Sequence, residues 1–329
     1  MGTSSSGLTF FEPVFSTAEY EGLADIITGF DASGGGAIQI TPGGGFAGRR
    51  RTTNFFTNTS GQVQRRNPSS TGNLTPTRFT NIGRGEIKIF RTFIQDWTLQ
   101  DWEDLGLPSE MGQRQAGLQF GAHKAENMMT TALSAVLGSL GAIGATAKLD
   151  ISAASTPTLN FPDLNNGFAK HGDRAQEIVT LFMHSKPWHD LIGDAIVNRE
   201  FAAGALAIFQ GTTGTSGRIP VVTDIAPLLV AGSPNKYNSL ALVRGAVEIE
   251  EGNSERRNLA IVTGDATAAP ENLLVRLQIE WSFTLKVRGM SWKAGSADNP
   301  DDSTLADATK WDLVVSSHKL GPGIFILSQ

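Results

Sequence analysis

The stretch 109–140 constrains this chain more than any other. Ser109 follows Pro108 and offers a side-chain oxygen to the first free amides of a helix, and Glu110 suits the positive end of the helix dipole. Apolar residues then recur at Leu118, Ala122, Ala125, Met129, Ala132, Leu133, Val136, Leu137 and Leu140. Spacings of three and four place them in one stripe, so the pattern predicts an amphipathic helix. Gly117 and Gly121 weaken it locally, and Gly141 and Gly144 supply the stop. At about 1.5 Å per residue the helix is roughly 48 Å long, more than most compact single-domain enzymes need.

Just ahead of it, residues 43–93 read as a long β-hairpin. One leg covers 50–56 and the other 78–93, where Glu86-Ile87-Lys88-Ile89 alternates like a strand. The tip, 58–72, is polar and rich in turn residues. This segment holds nine basic residues (Arg49, Arg50, Arg51, Arg65, Arg66, Arg78, Arg84, Lys88 and Arg91) against one acid, Glu86, a balance of +8. The whole chain is -5, so the remainder carries -13. A hairpin with so few apolar residues at its tip cannot bury a core and needs another surface. An acidic neighbouring copy, with Glu248, Glu250 and Glu251 as acceptors, suits it better than nucleic acid.

The rest is mixed. Residues 1–42 read as an arm, with one short strand at 37–40 between Gly-rich runs. A helix over 163–177, a strand over 178–183 and a helix over 186–198 capped by Ser185 follow the long helix. Strands are expected at 205–209, 219–222, 239–247, 259–262 and 273–287. In the last of these every odd residue from Leu273 to Val287 is apolar, giving one buried face. Residues 311–327 add a strand or two. The fold class is α+β.

Chemistry is sparse. With no cysteine there are no disulfides and no thiolate chemistry, which suits a reducing cytoplasm. No window approaches eighteen consecutive apolar residues, so no membrane span is expected. Residues 43–48 match G-x-G-x-x-G, but a dinucleotide site needs a helix to open there, and Arg49-Arg50-Arg51 reads as extended. The five histidines lack metal-ligand spacing. Ser185 and His189 are hydrolase residue types, yet the glycines of a nucleophile elbow are missing around Ser185. The acidic run 298–302 reads as a solvated face. No catalytic residue, cofactor or metal is assigned.

The order of parts resembles the Hong Kong 97-type major capsid protein of tailed bacteriophages. Residues 85–104 (GEIKIFRTFIQDWTLQDWED) are similar to the stretch leading into the family's spine helix, and Asn73-Leu74-Thr75-Pro76 to its hairpin's return leg. TLFMHSKPWHDL (180–191), GRIPVVTD (217–224), LVRGAVEIE (242–250) and the tail 299–311 resemble further phrases. The resemblance covers most of 40–320. It implies an N-terminal arm over 1–42, an extended loop over 43–95 and a peripheral domain from 96–200 and 263–329, with the spine helix 109–140. It further implies an axial domain over 201–262, and self-assembly into hexamers and pentamers of an icosahedral shell enclosing a double-stranded DNA genome. Portal, scaffolding or decoration proteins are implied partners, with assembly in the host cytoplasm. A cellular nanocompartment shell of the same fold is the alternative, and a hydrolase using Ser185 and His189 a remote one.

Overall fold

The computed structural model describes residues 11–41, 46–56, 68–69, 72–73, 81–107, 109–197, 217–252, 255–262 and 273–329. Its longer helices among the described residues are α1 (Glu12–Gly34), α2 (Leu99–Asp104), α3 (Glu110–Ile143), α4 (Phe161–Ala169) and α5 (Ser185–Val197). The first sheet has the order β1 (Ile38–Thr41), β9 (Val247–Glu251), β11 (Leu274–Val287), β3 (Asn81–Thr98), β2 (Arg50–Phe56), with β10 (Arg256–Val262) also on β11. The second has the order β4 (Lys148–Asp150), β14 (Gly323–Ser328), β8 (Lys236–Val243), β5 (Ile178–Met183), β6 (Ile219–Val222), with β7 (Leu229–Val230) on β8. A ribbon of β12 (Met290–Trp292) and β13 (Trp311–Leu313) completes the strands.

The long helix forms as the sequence predicts. The Ser109 side chain accepts from the Gly112 amide, and α3 runs to Ile143. It is the core of the molecule: between 131 and 140 every residue but Leu137 is buried. Its length and composition would also let it cross a bilayer, but most of that apolar window is buried inside the protein. Phe120 is an aromatic hub, with ring centroids 5.2 Å from Phe93, 5.6 Å from Trp281 and 6.1 Å from Phe15.

The N-terminal half of α3 differs from the expected stripe. Leu118 and Ala122 are only partly buried, whereas Gly117, Gly121 and Lys124 are buried beside the expected Ala125. The cause is α1. Most of the expected arm is this 23-residue helix, with Pro13 in its first turn and Gly35 in the left-handed region at its end. Phe11 meets Gln113, Phe15 meets Gly117 and Glu19 meets Gly121, so the two helices run parallel. A Cβ at Gly117 would lie 2.5 Å from the Phe15 carbonyl oxygen, and one at Gly121 would lie 2.3 Å from that of Glu19. The glycines that weaken the helix locally are what allow the backbones to touch.

The second difference lies at 239–247. The expected single strand is two, because Arg244-Gly245 forms a turn with φ +64° at Gly245. An ordinary residue there costs about 1–2 kcal/mol. The break sends β8 into the second sheet and β9 into the first. The expected helix over 163–177 likewise divides into α4 and a 3-10 segment, Gly172–Glu177. The expected strand at 205–209 lies outside the described residues. Elsewhere agreement is close, including β2, β5 and β6.

The hairpin is anchored rather than free. β2 pairs with β3 from Phe56–Asn81 to Arg50–Ile87. Beyond the hairpin root β3 continues into the sheet, paired with β11 from Ile87 to Thr98. Substituting Gly121→Ala should therefore destabilise the subunit by about 1–3 kcal/mol, the usual cost of overpacking, despite Ala's helix preference of roughly 1 kcal/mol. Guanidinium unfolding checks this, with the midpoint expected to fall.

Candidate functional site

The basic hairpin is the feature the sequence singles out, and its root shows how its charge is used. Glu86, the hairpin's one acid, is buried at 1% exposure. Its carboxylate accepts from Arg51 Nε at 2.7 Å, Thr53 Oγ1 at 2.9 Å and Arg84 at 3.0 Å. Burial alone would raise the Glu86 carboxyl above its ordinary 4.5; the donated hydrogen bonds from Arg84, Arg51 and Thr53 outweigh it and hold the value lower. Arg51 also lies over the Phe46 ring at 4.9 Å and reaches Glu250 at 3.4 Å.

The acidic run at 298–302 is largely exposed, as expected from sequence, and it also binds the hairpin. Arg50 pairs with Asp298 at 2.7 Å and donates to the Ser296 carbonyl. Arg91 pairs with Asp302 at 3.0 Å, and Asn299 accepts from the Phe90 amide. Asp301 accepts from Thr304 N–H and caps a short helical turn. This run therefore straps both legs of the hairpin to their own subunit.

The expected acceptors are also engaged internally. Glu248 and Glu250 pair with Lys286, and Glu251 meets Lys124 Nζ at 2.7 Å. Lys124 is 1% exposed and lies 2.9 Å from both Glu19 and Glu255. Arg257 closes the cluster, meeting Glu19 at 2.6 Å and Glu255 at 2.5 Å. Burial pushes Glu19 up from its ordinary value, with Lys124 opposing the rise. Burial would lower Lys124, but the charges of Glu19, Glu251 and Glu255 raise it instead. Of the expected contact residues, Arg49 alone among the described ones is exposed and outside any ion pair. Arg65, Arg66 and Arg78 lie outside the described residues.

Alternative chemistries find no support in the geometry. After Gly48 the chain enters β2, so no helix opens on the glycine run. Ser185 does not cap α5 with its hydroxyl; the Asp224 carboxylate accepts from Ser185 N–H at 2.8 Å and His184 Nδ1 from Lys186 N–H at 3.2 Å. Ser185 Oγ and Asp224 both face that same Nδ1, at 3.3 Å each. A triad needs opposite ring nitrogens for the two. His189 is exposed on α5. No group of three metal-ligating side chains occurs among the described residues.

A shell subunit is the class to which this architecture belongs. The capsid of Helicobacter pylori bacteriophage KHP30 matches with TM-score 0.50 and 9% identity, over 89% of this chain and 88% of that one. The capsid of cyanophage Pam1 matches at 0.49 and 12%, over 86% and 85%. Microbacterium phage Oxtober96 matches at 0.48 and 13%, over 85% and 89%. The fold is the Hong Kong 97-like capsid fold. The profile of the major capsid protein 13-like family matches residues 7–325, and the chain belongs to that family. It is a capsid shell protein of the virion, and the compartment-shell and hydrolase readings are not favoured. No curated protein matches the chain.

The depressed Glu86 carboxyl makes a signed prediction. Its contribution to stability is present above its ordinary 4.5 and is lost as pH falls through the lower folded value. Glu86→Gln should cost about 1.5–3 kcal/mol at neutral pH, the range for hydrogen bonds to charged groups. It should also flatten the acid limb of a stability–pH curve measured by urea unfolding.

Proposed function

We propose that this capsid subunit builds its shell by laying its basic hairpin tip on an acidic face of a neighbouring copy, forming the hexamers and pentamers of an icosahedral shell around double-stranded DNA. The observation that carries this reading is a division of labour among the arginines. Arg50, Arg51, Arg84 and Arg91 are held by carboxylates of their own chain. Arg49 is exposed and outside any ion pair, and Arg65, Arg66 and Arg78 lie outside the described residues. The root is fixed to its own subunit.

Within that reading, residues 43–95 are the extended loop, and residues 1–42 are an arm whose helix lies on α3. Residues 96–200 and 263–329, with α3, belong to the peripheral domain. Residues 201–262 belong to the axial domain around the capsomer centre, and β8, inside that range, is the middle strand of the second sheet. The role is structural, without catalysis. Assembly in the host cytoplasm suits a cysteine-free chain whose contacts are noncovalent. Portal, scaffolding or decoration proteins and packaged DNA are its further partners.

Purified protein should form closed shells visible by negative-stain electron microscopy. The triple reversal Arg65→Glu, Arg66→Glu, Arg78→Glu should abolish shells while leaving the subunit's melting temperature unchanged. Normal shells from that variant would overturn the docking role, and a wild-type chain that stays monomeric at high concentration would overturn the assembly reading. Ser185→Ala should leave shell yield unchanged.

A further inference from the structure

Of the five histidines, His171 alone is fully buried, at 0% exposure. Neither of its ring nitrogens meets a hydrogen-bond partner among the described residues. A buried polar group without partners costs free energy, and a charge in the same place costs far more. The neutral ring is tolerated there; the imidazolium is not.

The ring lies where the two sheets meet. His171 follows α4 and opens the 3-10 segment Gly172–Glu177, which feeds β5 of the second sheet. The first sheet arrives as Arg288 and Gly289, directly after β11. Arg288 donates to the Arg244 carbonyl at 3.1 Å, in the turn that sends β8 and β9 into different sheets, and meets Glu177 at 3.5 Å. Between these runs sits the short turn His318–Leu320. His318 Nε2 lies 3.0 Å from the Lys170 carbonyl oxygen, and a Cβ on Gly289 would lie 2.9 Å from that of Leu320. The turn is therefore clamped between an element of each sheet.

The charges that face His171 come from all three elements: Arg174 and Glu177 from the 3-10 segment, His318 from the turn, and Arg288 from the end of β11. Of its sequence neighbours, Asp173 pairs with Lys319 at 2.7 Å and Lys170 donates to the Ala145 carbonyl. Glu177 is the one carboxylate in the facing group, and Arg174 at 3.4 Å and Arg288 already share it. A proton on His171 would thus add a buried positive charge among cationic groups whose anion is already engaged.

We propose that His171 is an acid-sensitive latch on this seam: with the ring neutral the 318–320 turn closes against it, and a proton on the ring opens the turn. The device belongs to the single subunit and does not depend on the docking reading above. Burial holds the ring below its ordinary 6.5; Glu177 opposes that, while His318, Arg174 and Arg288 reinforce it. The opened seam therefore binds the proton more readily than the closed one. Closure is complete above about pH 6.5 and is lost as pH falls below it, by at most about tenfold in the opening equilibrium per pH unit for one proton.

Hydrogen exchange of the full chain tests the latch, with the assembly state held constant from about pH 7.5 to about pH 5 and rates corrected for intrinsic exchange. Peptides covering 166–177 and 314–322 should lose protection below about pH 6.5, up to about tenfold per unit, while the middle of α3 keeps its own. His171→Leu fills the site without a titrating group and should keep the seam closed across the range. His171→Gln provides a second non-titrating variant where the first does not fold. His318→Gln should leave the response in place. A wild-type seam whose protection is independent of pH, a response that survives in a folded His171 variant, or one that disappears with His318→Gln would each overturn the proposal.

Discussion

The buried Lys124 ammonium is the point on which the subunit's architecture turns. It sits on the central helix and is met by carboxylates from three other segments: Glu19 of α1, Glu251 at the end of β9, and Glu255 just before β10. An uncompensated buried charge costs several kcal/mol, so removing one partner penalises the whole arrangement. The cluster fixes the helix layer relative to the first sheet. It also explains why α1 approaches α3 so closely, since the glycine contacts at 117 and 121 bring Glu19 within reach of Lys124.

The hairpin obeys the same logic at its root. Glu86 neutralises Arg51 and Arg84, while the 298–302 run neutralises Arg50 and Arg91. Positive charge concentrated in the sequence is thus divided in space. Arg50, Arg51, Arg84 and Arg91 close the subunit, and the proposed contact with other copies falls to the rest. A shell subunit needs both: it must fold before it meets its neighbours, yet retain attraction for them.

Local pattern made much of this legible. The Ser109 cap, the alternation in β11 and the breaker-flanked legs of the hairpin are short-range signals, and the structure follows them. Long-range pairing was not legible. Nothing near 298–302 announces that Arg50 and Arg91 fold onto it, because the partners are some two hundred residues apart. Helix α1 is not legible in its own residues, because its apolar positions form no clean stripe; its trace in the sequence is Gly117 and Gly121, one turn apart on the partner helix.

The length of β3 has a geometric consequence. One uninterrupted strand joins the hairpin to the head of the central helix, so the two ends of the subunit are set by a single twisted bar. Contact between unlike ends of identical copies is heterologous, and such contacts close into rings when the rotation between copies divides a full circle. Strand twist is a soft variable, averaging about 20–25° between neighbours and ranging widely. In the proposed contact between copies, a few degrees of change along β3 would therefore alter the rotation from one copy to the next.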